Sequence, residues 1–186
     1  RNTQDNSRTS INIFMKNRYI NMISVLLVAL VLGSCNTIDD SRIPALAVNI
    51  KLNNIGLWNT YGIAGFGQYK YFIKENREPS NFPYTQTTYT GYGGVLLIGG
   101  MDPFTAETNI PLAYDLSCPV ECKQTIRVFI DESTLEAVCP QCMSRYDVVT
   151  GGGAPIEGPA LTGNVKYRLQ PYHCQPSPYG GYTITR

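Results

Sequence analysis

An all-β domain is the fold class that the sequence predicts, on three observations. The chain has 186 residues, among them 17 glycines, 12 prolines and 13 tyrosines, a composition typical of strands joined by turns and loops. After about position 40, no apolar period of 3.6 residues is sustained. Short segments instead alternate apolar and polar side chains, as half-buried strands do. The expected architecture is a sandwich or an open barrel.

Nine segments carry the strand pattern. In residues 43–52, Val48, Ile50 and Leu52 alternate with polar residues, which indicates one buried face. Residues 93–100 form an apolar run between glycine pairs, which predicts a strand buried on both faces. Residues 57–67 are predicted to be a loop anchored by aromatic side chains. The other predicted strands are 69–73, 110–116, 125–130, 135–138 and 146–149, with a closing hairpin of 165–171 and 182–185.

Residues 1–34 are predicted to be a leader and a lipoprotein signal peptide. Residues 1–14 are polar and precede the first methionine, so they are interpreted as an overcalled start or a cloning remnant, with a genuine extension as the alternative. Lys16 and Arg18 then give a positive segment. The apolar run 23–32 that follows is too short to span a bilayer as a stable anchor.

The apolar run ends in Leu32-Gly33-Ser34-Cys35. This segment resembles the bacterial lipobox, in which the signal is cut before a cysteine that then carries lipid. The alternative is an ordinary secretory signal that ends near a cysteine. Lipidation of Cys35 would anchor the protein to a membrane, since each buried methylene adds about 0.8 kcal/mol. The resemblance therefore implies a lipid-anchored protein at the outer membrane or cell surface, with the periplasmic face as the alternative.

A polar tether, residues 35–42, is predicted to connect the lipid to a single folded domain, residues 43–186. Asp39 and Asp40 resemble the surface-export tag of Bacteroidetes lipoproteins, although a solvated linker has the same composition. The formal net charge of +1 indicates no nucleic-acid-binding face. No nucleophile–base pair or pair of carboxylates stands on a recognisable frame, so we expect no enzyme, with electron transfer left open.

Two cysteine-bearing loops are the main functional signal. Cys118-Pro-Val-Glu-Cys122 and Cys139-Pro-Gln-Cys142 lie about 20 residues apart, a spacing that metal and redox sites use. Each loop follows a predicted strand, and the strands are expected to be neighbours. The tips of the two loops, and their sulfur atoms, are therefore predicted to converge.

The second loop resembles that of the Rieske iron–sulfur family, which reads C-P-x-H-G-S-x-F-D and is followed by G-P-A. The residues in step with that pattern are Cys139, Pro140, Ser144, Arg145, Tyr146, Asp147, Gly158, Pro159 and Ala160. The resemblance implies a Rieske-like fold with a cluster-binding-type subdomain at residues 116–160. It also implies supporting roles for Ser144, Tyr146 and Asp147, the first two resembling residues that donate hydrogen bonds to the cluster sulfurs.

The chain departs from the family at both histidine positions, which fall on Val120 and Cys142. Its single histidine, His173, lies outside both loops. A Rieske centre needs two cysteines and two histidines, so that ligand set is absent within this chain. The resemblance thus implies a degenerate member.

Three interpretations of the cysteine site remain open. Cys118, Cys122, Cys139 and Cys142 bind a metal, either Zn²⁺ or an all-cysteine [2Fe–2S] cluster; a disulfide pins the loops; or free thiols line a vestigial pocket. The leading hypothesis is a structural site holding zinc, a disulfide or no metal. One alternative is an electron carrier with [2Fe–2S].

A further alternative is a surface binding protein that uses the tyrosine-rich loops between Trp58 and Tyr92, among them Tyr61, Tyr84 and Tyr92. Cys174 is interpreted as a small core side chain. The one partner that the sequence indicates is a membrane, contacted through the lipid anchor.

Overall fold

The structure is a computed structural model that describes residues 38–39, 41–150 and 152–186. The predicted signal peptide, the lipidation site Cys35 and the acidic residue Asp40 lie outside the described residues. All described residues belong to one compact unit, residues 37–186. Within the described ranges, no helix combines the length and the apolar character needed to cross a membrane.

The described part of the chain is mostly strand. Its strands are β1 (Ile38–Asp39), β2 (Val48–Leu52), β3 (Tyr69–Phe72), β4 (Tyr89–Thr90), β5 (Val95–Met101), β6 (Thr108–Asp115), β7 (Phe129–Asp131), β8 (Glu136–Val138), β9 (Arg145–Asp147), β10 (Ala154–Glu157), β11 (Lys166–Tyr167), β12 (Pro171–Pro176) and β13 (Tyr182–Thr185). Its helices are α1 (Ile55–Tyr61) and α2 (Pro159–Thr162). The predicted all-β fold class is confirmed.

The larger sheet has seven strands in the order β3-β5-β6-β12-β13-β2-β4, and every neighbouring pair is antiparallel. It curls into a nearly closed, barrel-like shape. Strand β5 is buried on both faces, as its apolar sequence predicts: Leu96 and Ile98 pack into one core, and Val95 and Leu97 pack into another. This strand therefore joins the two cores of the domain.

The smaller sheet has four antiparallel strands in the order β10-β9-β8-β7. It lies within the predicted subdomain, residues 116–160, and its core includes Cys118, Cys139 and Tyr146 together with Leu96 of β5. Strands β8 and β9 flank the second cysteine loop, and the first cysteine loop follows β6. The packing of the small sheet against β5 thus brings both cysteine loops to one core.

The prediction of a loop for residues 57–67 is wrong over its first part, where α1 forms. Asn54 caps this helix, since its side-chain oxygen accepts the Leu57 N–H at 2.9 Å. The N–H of Gly62 donates to the Trp58 carbonyl at 2.7 Å and closes the last turn. A helix of seven residues is too short to show a repeating apolar face, which explains why periodicity missed it.

The closing hairpin starts later than predicted, because β12 and β13 are its strands. Residues 166–167 instead pair in parallel with β1, which ties part of the predicted tether to the domain. Arg42 continues this attachment, since its guanidinium lies 4.6 Å from the centre of the Tyr167 ring. His173 and Cys174 consequently lie within β12, opposite Thr185 and Ile184 of β13.

Candidate metal centre

Three of the four loop cysteines form one group. The Sγ atoms of Cys118, Cys139 and Cys142 all lie within 4.8 Å of one another. The Cys118 and Cys142 sulfurs are 3.6 Å apart, well beyond the roughly 2.05 Å of a disulfide bond. Cys118 and Cys139 are fully buried, whereas Cys142 is half-buried. The predicted convergence of the two loop tips is confirmed.

Backbone hydrogen bonds hold the first loop in place. The Cys118 N–H donates to the Ile126 carbonyl at 3.0 Å, and the Cys122 N–H donates back to the Cys118 carbonyl at 2.8 Å. The Ser117 hydroxyl donates to the Lys123 carbonyl at 2.9 Å. These bonds close the loop around its first cysteine, so that Cys118 is presented to the core on a constrained backbone.

Cys122 does not belong to the three-cysteine group. Its φ of 50° places it in the left-handed region, and its Sγ lies 3.4 Å from the carbonyl oxygen of Arg42. The turn in which the Cys122 N–H bonds to the Cys118 carbonyl therefore directs the Cys122 side chain away from that of Cys118. The predicted four-cysteine set is reduced to three within the described residues.

The second loop is a tight turn between β8 and β9. Its ends are joined by a bond from the Cys139 N–H to the Ser144 carbonyl at 2.9 Å, and the Met143 N–H donates to the Cys139 carbonyl at 3.1 Å. Met143 has a φ of 58°, which reverses the chain. Because C-x-x-C spacing within one turn brings both side chains to the same side, Cys139 and Cys142 face the same point.

Two hydroxyl groups contact the sulfurs. The oxygen of Ser144 lies 3.1 Å from the Sγ of Cys142, and the hydroxyl oxygen of Tyr146 lies 3.6 Å from the Sγ of Cys118. Ser144 and Tyr146 are both fully buried. As a thiol, Cys142 donates to the Ser144 oxygen, and either partner can donate in the Cys118–Tyr146 pair. A thiolate can only accept, so on loss of the thiol proton each hydroxyl becomes the donor, the role that the sequence resemblance implies.

The protonation of the three thiols is uneven. Burial raises the pKa of Cys118 to about 12 and raises that of Cys139 as well. Burial also acts on Cys142, but hydrogen bonds from the Ser144 side chain and backbone, together with the neighbouring thiols, outweigh it and lower the pKa. A cation at this point would draw the remaining protons off, since metal binding favours thiolates over thiols.

Asp147, the third predicted supporting residue, holds the turn after β9. Its Oδ1 atom accepts the backbone N–H groups of Val149 at 3.1 Å and Thr150 at 2.8 Å. Its own carbonyl accepts the Gly153 N–H at 2.7 Å. Asp147 therefore contributes to the site by fixing the path of the backbone that follows the second loop.

A contact across the rim of the site was not predicted from the sequence. The side-chain amide of Gln141 in the second loop donates to the carboxylate of Glu121 in the first loop at 3.1 Å. Glu121 lies inside the C-x-x-x-C segment and Gln141 inside the C-x-x-C segment. The predicted convergence of the two loops was therefore the sequence signal that could have indicated this contact. This bond links the tips independently of the sulfurs.

Cys174 and His173 lie away from the sulfur group. Cys174 packs against the core that contains Val95 and Leu97, and burial raises its pKa to about 12. His173 is exposed on β12. All five described cysteines are free thiols.

The tyrosines of the predicted binding loops are directed inward. The hydroxyl of Tyr61 donates to the Asn81 carbonyl at 2.6 Å, that of Tyr84 donates to the Glu78 carbonyl, and that of Tyr92 donates to the Cys122 carbonyl at 3.1 Å. Tyr61 and Tyr84 also pack against a buried core.

A separate open cleft of about 620 Å³ lies beside α1. Its lining includes Trp58, Tyr182 and Asn109. The tyrosine-rich loops thus act in part as internal braces, and residues between positions 58 and 70 of the same region line most of this cleft.

The sulfur group does not fit a [2Fe–2S] cluster. Such a cluster takes its ligands in pairs, one pair to each iron, so that a second iron and the bridging sulfides separate the pairs. Here three sulfurs surround one point, and no histidine lies in either loop. A tetrahedral ion with 2.3 Å bonds would place its sulfurs about 3.8 Å apart, close to the separation of Cys118 and Cys142.

Comparison with known proteins finds no matching family model, no matching curated protein and no matching solved structure for this chain.

Proposed function

We propose that this protein is a lipoprotein of the cell envelope, anchored through Cys35, in which one zinc ion holds two loops of a Rieske-like domain together. The ligands are Cys118, Cys139 and Cys142. The observation that carries the proposal is the mutual approach of their sulfur atoms to within 4.8 Å. Zn²⁺ binds thiolate ligands, and its filled d shell imposes no preferred coordination geometry. Structural zinc sites stabilise small loop-rich regions.

The surroundings of the sulfurs support a bound cation. If the thiols lose their protons, three thiolates lie at this separation, two of them fully buried, and a cation between them would offset their mutual repulsion. The hydroxyls of Ser144 and Tyr146 supply the outer-shell hydrogen bonds that metal-bound thiolates commonly accept.

A disulfide staple between Cys118 and Cys142 is the competing structural function. It would require the sulfurs to approach from 3.6 Å to about 2.05 Å and would leave Cys139 unpaired and buried. Electron transfer through an all-cysteine [2Fe–2S] cluster is the less favoured function, because the three sulfurs share one point.

Purification of the full chain in detergent under anaerobic conditions, followed by metal analysis and thiol titration, tests the proposal. One zinc per chain is expected, and it should be lost in Cys139→Ser but retained in the matched variant Cys174→Ser. Two irons per chain with a visible spectrum would establish the electron carrier instead. Absence of metal with two thiols missing from the titration would establish the disulfide.

The lipid anchor has its own test. Cys35→Ala should release the protein from the membrane fraction and abolish incorporation of labelled fatty acid, while Cys122→Ser should leave both unchanged. Retention of label in Cys35→Ala would contradict the lipobox.

A further inference from the structure

The zinc centre lacks a fourth ligand among the described residues. No further cysteine, histidine, aspartate or glutamate joins the three sulfurs in that part of the chain. Cys122 contacts the Arg42 carbonyl, and Glu121 accepts a hydrogen bond from Gln141. Zinc sites with three protein ligands keep the remaining position for water or another molecule from outside.

The two hydroxyl groups at the site do not fill that position. Tyr146 and Ser144 lie against sulfur atoms, and Ser144 also accepts the Ala160 N–H at 3.0 Å. In the thiol form the Cys142 Sγ donates to this oxygen, whereas a Cys142 thiolate can only accept and would take the Ser144 hydroxyl proton. Both hydroxyls therefore support the thiolates and leave the ion with three ligands.

The centre is reached from the side of Cys142. Cys118 and Cys139 are buried, but Cys142 is half-buried, and its neighbour Met143 is 60% exposed. Pro140 and Gln141 are also exposed. An external ligand can therefore approach at the tip of the second loop without unfolding of the small sheet.

The charges around the centre select the kind of external ligand. Three thiolates and one Zn²⁺ leave one net negative charge. The one charged side chain within residues 118–122 and 139–142 is Glu121, which is also negative. An anion would raise the negative charge of the centre further, whereas a neutral nitrogen donor adds no charge and is a ligand that zinc accepts.

We infer that the metal centre is a site with three thiolates among the described residues and an exchangeable fourth position that takes a neutral nitrogen donor of the imidazole class. This inference rests on the proposed metal-binding function. It makes the ion a binding site as well as a staple, open to a small imidazole compound or to a histidine of a partner protein.

The test uses the full chain in detergent, loaded with Co²⁺ as a spectroscopic substitute for zinc, and imidazole as the probe. The charge-transfer intensity should correspond to three thiolates. Imidazole should shift the visible Co²⁺ bands saturably, and azide at the same concentration should shift them less. Cys122→Ser should leave both the spectrum and the imidazole response unchanged.

X-ray absorption of the zinc form supplies a second measurement that needs no variant. Three sulfurs and one nitrogen or oxygen are expected, with the lighter atom becoming nitrogen of an imidazole ring when the probe is added. Four sulfurs, with loss of one in Cys122→Ser and no imidazole response, would overturn the open position while leaving the metal centre intact. A chain that binds neither Co²⁺ nor zinc would instead overturn the proposed function itself.

Discussion

The side-chain oxygen of Ser144 lies 3.1 Å from the Sγ atom of Cys142. The same oxygen accepts the backbone N–H of Ala160 at 3.0 Å, so α2 holds the hydroxyl in place from behind. One buried serine therefore couples Cys142, the half-buried member of the sulfur group, to the helix that follows β10. This coupling leads to the first two predictions.

Replacing Ser144 by alanine should weaken zinc binding by about 10- to 100-fold, the range typical for loss of an outer-shell hydrogen bond. The physical reason is that the Cys142 thiolate loses a donor and the buried Ala160 N–H loses its acceptor. Competition with a chromophoric chelator measures the affinity. Ser177→Ala, in the turn between β12 and β13, is the matched control, because it removes a serine hydrogen bond to the Asn53 carbonyl outside the site and should bind zinc normally. Equal losses in the two variants would contradict a specific role for Ser144.

Gly158→Ala should disturb the same serine from its other side. Gly158 has a φ of 83°, and a Cβ atom there would lie 2.8 Å from the Ser144 Cα. We expect the unfolding free energy to fall by about 1–3 kcal/mol, the usual cost of such backbone strain, and zinc affinity to fall with it. Denaturant unfolding followed by the fluorescence of Trp58, the single tryptophan, measures the first effect.

Gly163→Ala is the control for this substitution, because Gly163 lies at the other end of α2 with a φ of −70°. Its added Cβ would come no closer than 3.3 Å to the Val165 carbonyl oxygen. A smaller effect on both stability and zinc binding is therefore expected. If Gly158→Ala behaves like Gly163→Ala, the close approach of Gly158 to Ser144 is not important for the site.

Zinc should stabilise the folded domain by mass action. At a free zinc concentration 100 times the dissociation constant, a ligand that binds the folded state alone adds about 2.7 kcal/mol to the unfolding free energy. Denaturation with and without zinc measures the increment. It should persist in Cys174→Ser and disappear in Cys139→Ser. An increment that survives in Cys139→Ser would place the stabilising ion elsewhere.

The stability of the small sheet should depend on pH through Asp131. Hydrogen bonds from the Ser133 side chain and then from Arg145 lower the pKa of Asp131 to about 2. A carboxyl group with a lowered pKa in the folded state stabilises the fold above its ordinary pKa of about 3.9 and loses that effect as pH falls towards the folded value. Asp131→Asn should therefore be less stable than the parent chain at pH 6, with the difference disappearing near pH 2.

The measurement is the denaturant midpoint of both proteins at several pH values between these limits. Glu157→Gln, an exposed change on β10, is the control and should show little difference from the parent at any of them. A midpoint difference for Asp131→Asn that is constant with pH would mean that the charge of Asp131 does not stabilise the sheet.

Local sequence patterns predicted much of the fold because they act within single elements. The alternation of Val48, Ile50 and Leu52 and the apolar run of β5 each report burial on defined faces of one strand. Helix α1 was missed because its formation depends on the Asn54 cap and on packing, and seven residues carry too little periodicity. The inward orientation of Tyr61 was not predicted for a related reason. Its hydroxyl donates to the carbonyl of Asn81, and no local sequence pattern pairs these two residues.

The candidate site was predictable as a pair of loops but not as a ligand set. The spacing of Cys139 and Cys142 within one turn was enough to predict that their side chains act together. The longer C-x-x-x-C separation of Cys118 and Cys122 is a weaker signal of a shared site, and the left-handed backbone at Cys122 turns its sulfur towards Arg42. The residue type does not predict this left-handed conformation, because cysteine, unlike glycine, rarely adopts a positive φ.

The sequence by itself determined that this chain forms strands, where they alternate, and which two loops carry the cysteines, because these properties depend on residues that are neighbours along the chain. Only the tertiary structure decided that three sulfurs meet while the fourth turns away, and that Ser144 links Cys142 to α2. Those relationships join residues that are distant in sequence, and their distances follow from how the small sheet packs against β5. That packing is set by the buried volume of the whole core rather than by any one segment.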